Sequence, residues 1–286
     1  MRLRSYVCAG LVAATALGAA LFGCGAFDSA TPTPGAAADG ATDEASVAPD
    51  ANAGADGALD SGVDAAPRCT NAAPFVDDFE LRSDLTGCWD GLTKSGLLAS
   101  TSSGELGTST GTSGHGFVVK LVPADGGPGG GAVYLSKKLA QPLPAPARLD
   151  FKWLAAVFPT SAGDGSSGLF AVELVYQYMD TTGLLQVGRR SVAFGVNAKT
   201  INPYLSGGGF VPLAALDPGG LYESALELTT AQLKLVTNSP NAVDRVLTLP
   251  FGSDFAVTEI RIGVTDVGSI SAPWTLYFDD VRLAPK

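Results

Sequence analysis

The chain reads as an all-β protein built of short strands, a sandwich or a barrel. Three observations predict this. Apolar residues alternate with period two in several runs, Gly/Ser/Thr/Pro stretches punctuate those runs, and no convincing amphipathic helix interrupts them. In Leu149-Asp150-Phe151-Lys152-Trp153-Leu154-Ala155 the odd positions are apolar. In Val172-Glu173-Leu174-Val175-Tyr176-Gln177-Tyr178 the even positions are apolar or aromatic, while Glu173 and Gln177 share the other face.

Taken in order, the first strand is Phe75-Val76-Asp77-Asp78-Phe79-Glu80. Further strands are expected at 117–122, 132–139, 149–155, 172–178, 185–196, 233–237, 246–249, 259–264 and 274–283. The runs 100–116, 125–131, 160–168, 205–209 and 217–220 are rich in turn residues and read as loops. A short helix is compatible with 229–233. No fixed-period repeat is present. The predicted domain, 68–286, is of a size that one core can serve.

What precedes it differs in composition. Residues 25–67 hold seven Asp, one Glu and no Lys or Arg, with Phe27 the only aromatic. Such a chain cannot bury enough apolar surface to offset its ordering entropy, so 24–67 reads as a disordered acidic tether. Its expected reach is about 35–40 Å for a flexible coil of this length. The first 23 residues combine a basic start at Arg2 and Arg4 with an apolar run of 17 residues from Tyr6 to Phe22. That is the anatomy of an export signal. The run lies at the lower limit for crossing a bilayer and no basic stop follows it. The ending Leu21-Phe22-Gly23-Cys24 resembles the lipobox of bacterial lipoproteins. This resemblance implies that Cys24 is acylated and opens the mature chain. An ordinary secretory signal, or a membrane helix with an incidental cysteine, is the alternative. Gly25, where an Asp tends to retain lipoproteins at the inner membrane, implies outer-membrane placement, periplasmic or surface-facing.

Charge and cysteine use narrow the classes. The whole chain carries −10, but 68–286 carries only −4. No basic stripe suits a nucleic acid, and no basic patch suits anionic lipid. Beyond Cys8 in the signal and Cys24, Cys69 and Cys88 remain, with 18 residues between them. In an exported protein that even remainder reads as a disulfide, stabilising by roughly 3 kcal/mol on the chain-entropy model. Two cysteines and the single His115 do not make a zinc site.

The chain ends carry a second resemblance. The opening Asp77-Asp78-Phe79-Glu80, followed by Trp89, and the closing Tyr277-Phe278-Asp279-Asp280-Val281-Arg282-Leu283 resemble the jelly-roll β-sandwich of concanavalin A-like and laminin G-like domains, carbohydrate-binding modules among them. The resemblance covers the two ends alone. It implies one jelly roll in which the first and last strands are neighbours, bringing the two Asp pairs together. Alternation then turns Asp77 inward with Phe75 and Phe79, and Asp279 inward with Tyr277, Val281 and Leu283. Buried carboxylates need a cation, N–H donors or a proton. Calcium on Asp77, Asp78, Asp279 and Asp280 is one expectation, since it takes oxygen ligands and irregular geometry. A strand end or bulge in water, or a hydrogen-bonded acid pair, are the others.

Signals for chemistry are sparse. His115 lies in the glycine-rich loop Gly114-His115-Gly116, away from any Ser–Asp pattern. Glu173 and Asp180 are seven apart and fall on opposite faces of a strand, not the close carboxylate pair of a retaining glycosidase. The Gly126–Gly131 stretch lacks the Lys-Ser/Thr of a phosphate loop. The expectation is therefore a protein that is not an enzyme, with a non-catalytic domain that binds polysaccharide or glycan at the cell surface. Its candidate ligand-binding residues are Lys152, Glu173, Gln177 and Arg189 on one exposed sheet face, with Tyr204 and Trp274 as stacking platforms. A structural or adhesive surface protein with a protein partner, or a degenerate hydrolase, are the rival readings.

Overall fold

A computed structural model describes residues 73–80, 84–85, 87–108, 114–125, 129–158, 169–197, 200–208 and 211–286. The signal, Cys24, the tether and Cys69 lie outside the described residues. Among those described, every regular element is a strand, and no helix is long and apolar enough to cross a membrane.

Two antiparallel sheets form the sandwich. The larger sheet holds β1 (Phe75–Asp77), β3 (Ser103–Gly107), β4 (Gly116–Leu121), β6 (Ala147–Val157), β10 (Tyr222–Leu228), β11 (Gln232–Thr237), β12 (Arg245–Thr248) and β14 (Trp274–Pro285). Its order is β12-β11-β10-β6-β14-β4-β3, with β1 also on β14. The smaller sheet, β2-β5-β13-β7-β8-β9, holds β2 (Gly91–Gly96), β5 (Gly129–Pro144), β7 (Leu169–Asp180), β8 (Leu185–Asn197), β9 (Thr200–Leu205) and β13 (Gly252–Ile270). The first and last strands are neighbours, Phe75 opposite Leu283 and Asp77 opposite Val281.

Alternation builds the core. Leu149, Phe151, Trp153 and Ala155 of β6 meet Leu174, Tyr176, Phe194, Ile260 and Ile262 of the other sheet in one buried cluster. The Trp153 indole is buried with its N–H donated to Ser224 Oγ at 2.9 Å, so its one polar group costs little. The helix compatible with 229–233 is instead a turn joining β10 to β11. Thr229 Oγ1 accepts from the Gln232 amide at 3.0 Å, a local bond that closes a turn rather than starting a helix.

β14 changes partner midway. Trp274–Phe278 pairs with β4 along one edge, and Val281–Leu283 pairs with β1 along the same edge. Between them, at Asp279–Asp280, the register against β6 slips by one residue and Asp280 takes φ 47°. This bulge corrects the predicted inward face of Asp279. Phe278 and Val281 both enter the main core, which strict alternation forbids. Tyr277 packs with Val118 and Leu154 on the outer face, and Asp279 follows it there. Gly116 is required beneath that ring, because a Cβ there would meet Tyr277 Cζ at 2.4 Å.

Candidate functional site

The outer face of the larger sheet carries a groove of about 390 Å³ over β6, β10 and β11. Cross-strand register explains why it exists. Asp150, Ala225 and Val236 stand opposite one another in a row across the three strands. One row away, Lys152 faces Glu223, and on the other side Arg148 faces Glu227, which faces Lys234. Residues four apart on a strand lie about 13 Å apart, so two walls of long charged side chains flank a floor of short ones. Asn238, Thr237 and Asp280 also line it.

The walls are ion-paired. Arg148 donates from Nε to Asp150 Oδ1 at 2.7 Å and from Nη1 to Glu227 Oε1 at 2.5 Å. Lys152 Nζ lies 2.5 Å from Asp280 Oδ2 and 3.7 Å from Glu223 Oε1. The hydrogen bond to Asp280 raises the Lys152 pKa, against the opposing effect of burial. Lys286 Nζ donates to Glu227 Oε2 at 2.5 Å. Burial disfavours the Glu227 carboxylate, but Lys286 and Arg148 outweigh it and lower its pKa. Asn238 Oδ1 accepts the Glu223 amide at 3.0 Å, which orients the far end of the groove.

Beside the groove, Asp279 stands opposite Lys152 in the register. Burial pushes its carboxyl up to about 6, and the charges of Asp280 and Glu80 act in the same direction. The Asp280 amide at 2.8 Å and the Tyr277 hydroxyl at 3.1 Å donate to it and oppose the rise.

The four aspartates proposed for calcium go to separate partners. Asp77 is buried and accepts the Trp89 indole N–H at 2.6 Å and the Phe79 amide at 3.0 Å. Asp78 accepts the Glu80 amide at 3.4 Å, and Asp280 holds Lys152. Among the described residues no group of three or more His, Cys, Asp or Glu is arranged to hold a metal. Cys88 is disulfide-bonded; Cys69 lies outside the described residues.

The predicted ligand row is split by the fold. Lys152 stands on the larger sheet, whereas Glu173, Gln177 and Arg189 stand on β7 and β8 of the smaller one. Equivalent alternation in two strands says nothing about whether they adjoin. Glu173 is mostly enclosed there, accepting Arg261 Nη1 at 2.7 Å and Ser191 Oγ at 3.3 Å. Arg261 also donates to Glu259 at 2.6 Å and lies over the Tyr134 ring at 5.3 Å. The two platforms are core residues: Trp274 is fully buried, and Tyr204 is 8% exposed. Gly/Pro-rich surroundings suggested loops, but tertiary packing encloses both rings. Arg148, Asp150, Glu223 and Asn238 were missed. The signal for two of them was present, since the Leu149–Ala155 alternation that exposes Lys152 exposes Arg148 and Asp150 as well. Glu223 lies in β10, whose alternation from Tyr222 to Leu228 went unrecognised.

No protein-family model matches the chain, and no curated protein matches it in sequence. Solved structures are similar in fold. An endo-β-1,4-glucuronan lyase from the fungus Trichoderma reesei has a TM-score of 0.43 at 9% identity, covering 74% of this chain and 95% of its own. A marine alginate lyase from Zobellia galactanivorans has a TM-score of 0.42 at 13% identity, covering 69% and 95%. A protein with a galectin-like fold from Bacillus subtilis has a TM-score of 0.40 at 11% identity, covering 74% and 96%. These identities relate folds alone. They nonetheless correct one expectation: with lyases among the chains of similar fold, the protein is not set apart from enzymes as the sequence reading had it.

Proposed function

We propose that this protein is an exported β-sandwich that holds a glycan along the groove over β6, β10 and β11, tethered outside the cytoplasm by a lipid on Cys24. One observation carries the reading: short side chains at Ala225 and Val236 form a trough between rows of exposed hydrogen-bonding groups. A concave site with a few convergent polar groups is the usual form of a small-molecule or saccharide site. Carboxylates, an amide and a guanidinium together match the dense donors and acceptors of sugar hydroxyls. The presence of polysaccharide-active proteins among chains of similar fold accords with it. Glycan arrays with the full chain in detergent, followed by titration calorimetry, test the reading. Val236→Trp, which fills the trough, is expected to weaken binding at least about tenfold, or about 1.4 kcal/mol. Unchanged glycan binding by that variant would place the site elsewhere.

A further inference from the structure

We infer that the groove selects neutral glycans through their hydroxyls and turns away uronate polymers; this deepens the glycan reading and rests on it. Every cation lining the groove is already shared between two protein carboxylates. Arg148 serves Asp150 and Glu227, and Lys152 serves Asp280 and Glu223. The lining residues Arg148 and Lys152 face three acids, Asp150, Glu223 and Asp280, so the groove itself is net negative. The balance of exposure points the same way. The side chains of Glu223 and Asp280 are 59% and 45% exposed, while the Lys152 between them is 31% exposed.

An anionic sugar meets no lining cation that lacks a protein acid beside it. Arg148 keeps unused N–H donors, but a uronate carboxylate that reaches them, or reaches Lys152, settles beside Asp150, Glu223 or Asp280. Like charges held in proximity disfavour both. A neutral sugar avoids this. Its hydroxyls donate to outward lone pairs of Asp150, Glu223 and Asp280, which remain available because a carboxylate has about four acceptor sites. The ion pairs then act as fixed walls that hold those acceptors in place. Since no charge is exchanged with the ligand, binding of this kind is nearly insensitive to salt, whereas uronate recognition through Arg and Lys weakens as salt rises.

The test uses the full chain in detergent and three matched sets of oligosaccharides: neutral hexose or pentose oligomers, oligouronates, and cationic oligoglucosamines. Calorimetric affinity is measured at low and high sodium chloride. The expected result is neutral binding at least tenfold tighter than uronate binding, changing less than twofold with salt. The double variant Glu223→Gln, Asp280→Asn frees Lys152 and is expected to gain uronate binding while losing neutral binding. Its melting temperature controls for misfolding, and the single variant Glu223→Gln serves if the double one is unstable. Uronates bound more tightly than neutral oligomers, or uronates and glucosamines bound alike, would overturn the selectivity and leave the groove reading intact. Absence of binding in all three sets, with Val236→Trp equally silent, overturns the glycan reading and this inference together.

Discussion

Asp77 shows how one buried carboxylate is made tolerable. It lies among Phe75, Phe79 and Trp89, with the Trp89 ring edge-on to Phe75 at 5.2 Å between centroids and stacked on Phe79 at 6.2 Å. The indole and the Phe79 amide supply hydrogen-bond donors where water is excluded. Asp77→Ala leaves a buried indole N–H without its acceptor, and urea unfolding is expected to show a loss of about 2–3 kcal/mol. Asp279 illustrates the opposite case. Its folded pKa, about 6, lies above the ordinary 3.8, so the native state binds the extra proton between those values. The stability it contributes is complete below about pH 4 and is lost as pH rises through about 6. Asp279→Asn has no such proton to lose. That variant is expected to exceed the native protein by about 1–2 kcal/mol at pH 8, after discounting for solvent screening, with the gap closing below pH 4. Thermal melts across pH 4–8 measure it; a gap independent of pH would rule out this origin. Asp180 is a contrast at the surface. Hydrogen bonds from the Thr182 hydroxyl and the Leu184 amide hold it at about 2, so the β7–β8 turn keeps a charged acceptor into more acidic solution than an ordinary aspartate would.

At the scale of elements, the bulge in β14 and the network on β13 do different work. The bulge lets one strand serve β4 and β1 along a single edge, and in doing so directs Asp280 to Lys152. Without the slip, Asp279 would share the face of Val281. On the smaller sheet, Arg261 ties β13 to β7 through Glu173 and stays beside Glu259, with all three side chains at most 15% exposed. Removing the cation strands two carboxylates together. Arg261→Met is expected to cost about 2–4 kcal/mol in urea unfolding, because breaking an enclosed pair costs more than the pair contributes. A change under 0.5 kcal/mol would mean the network is solvated and of little weight. The strands themselves were legible where the alternation was clean, as in β6 and the core of β7. Those missed were β2, β3, β9 and β10, rich in Gly, Ser or Pro or mixed in polarity: Thr200–Leu205 contains a proline and Ser103–Gly107 has two glycines. Strands of that composition gain their order from neighbours rather than from their own propensity.

At the scale of the molecule, the proposal joins a secreted binding groove to a membrane anchor. Intact mass spectrometry from the native host is expected to show a chain beginning at Cys24 with a diacylglyceryl modification; an unprocessed amino terminus removes the anchor. Chelation is expected to leave the melting temperature of the intact protein unchanged, because Asp77 is satisfied by an indole and an amide and Asp280 by an ammonium. A fall on adding chelator, reversed by calcium, would show a bound ion, which stabilises by mass action.

Composition and periodicity alone determined the all-β class and the outward face of β6 that bears Arg148, Asp150 and Lys152. These are local properties, carried by side chains within a few residues of one another. The site was decided only in three dimensions. Pairing of β6 with β10, and of β10 with β11, set Ala225 and Val236 between charged rows, while Glu173, Gln177 and Arg189 stand on the other sheet. Alternation records which way a side chain points but not which strand lies beside it, and a groove is made by neighbours.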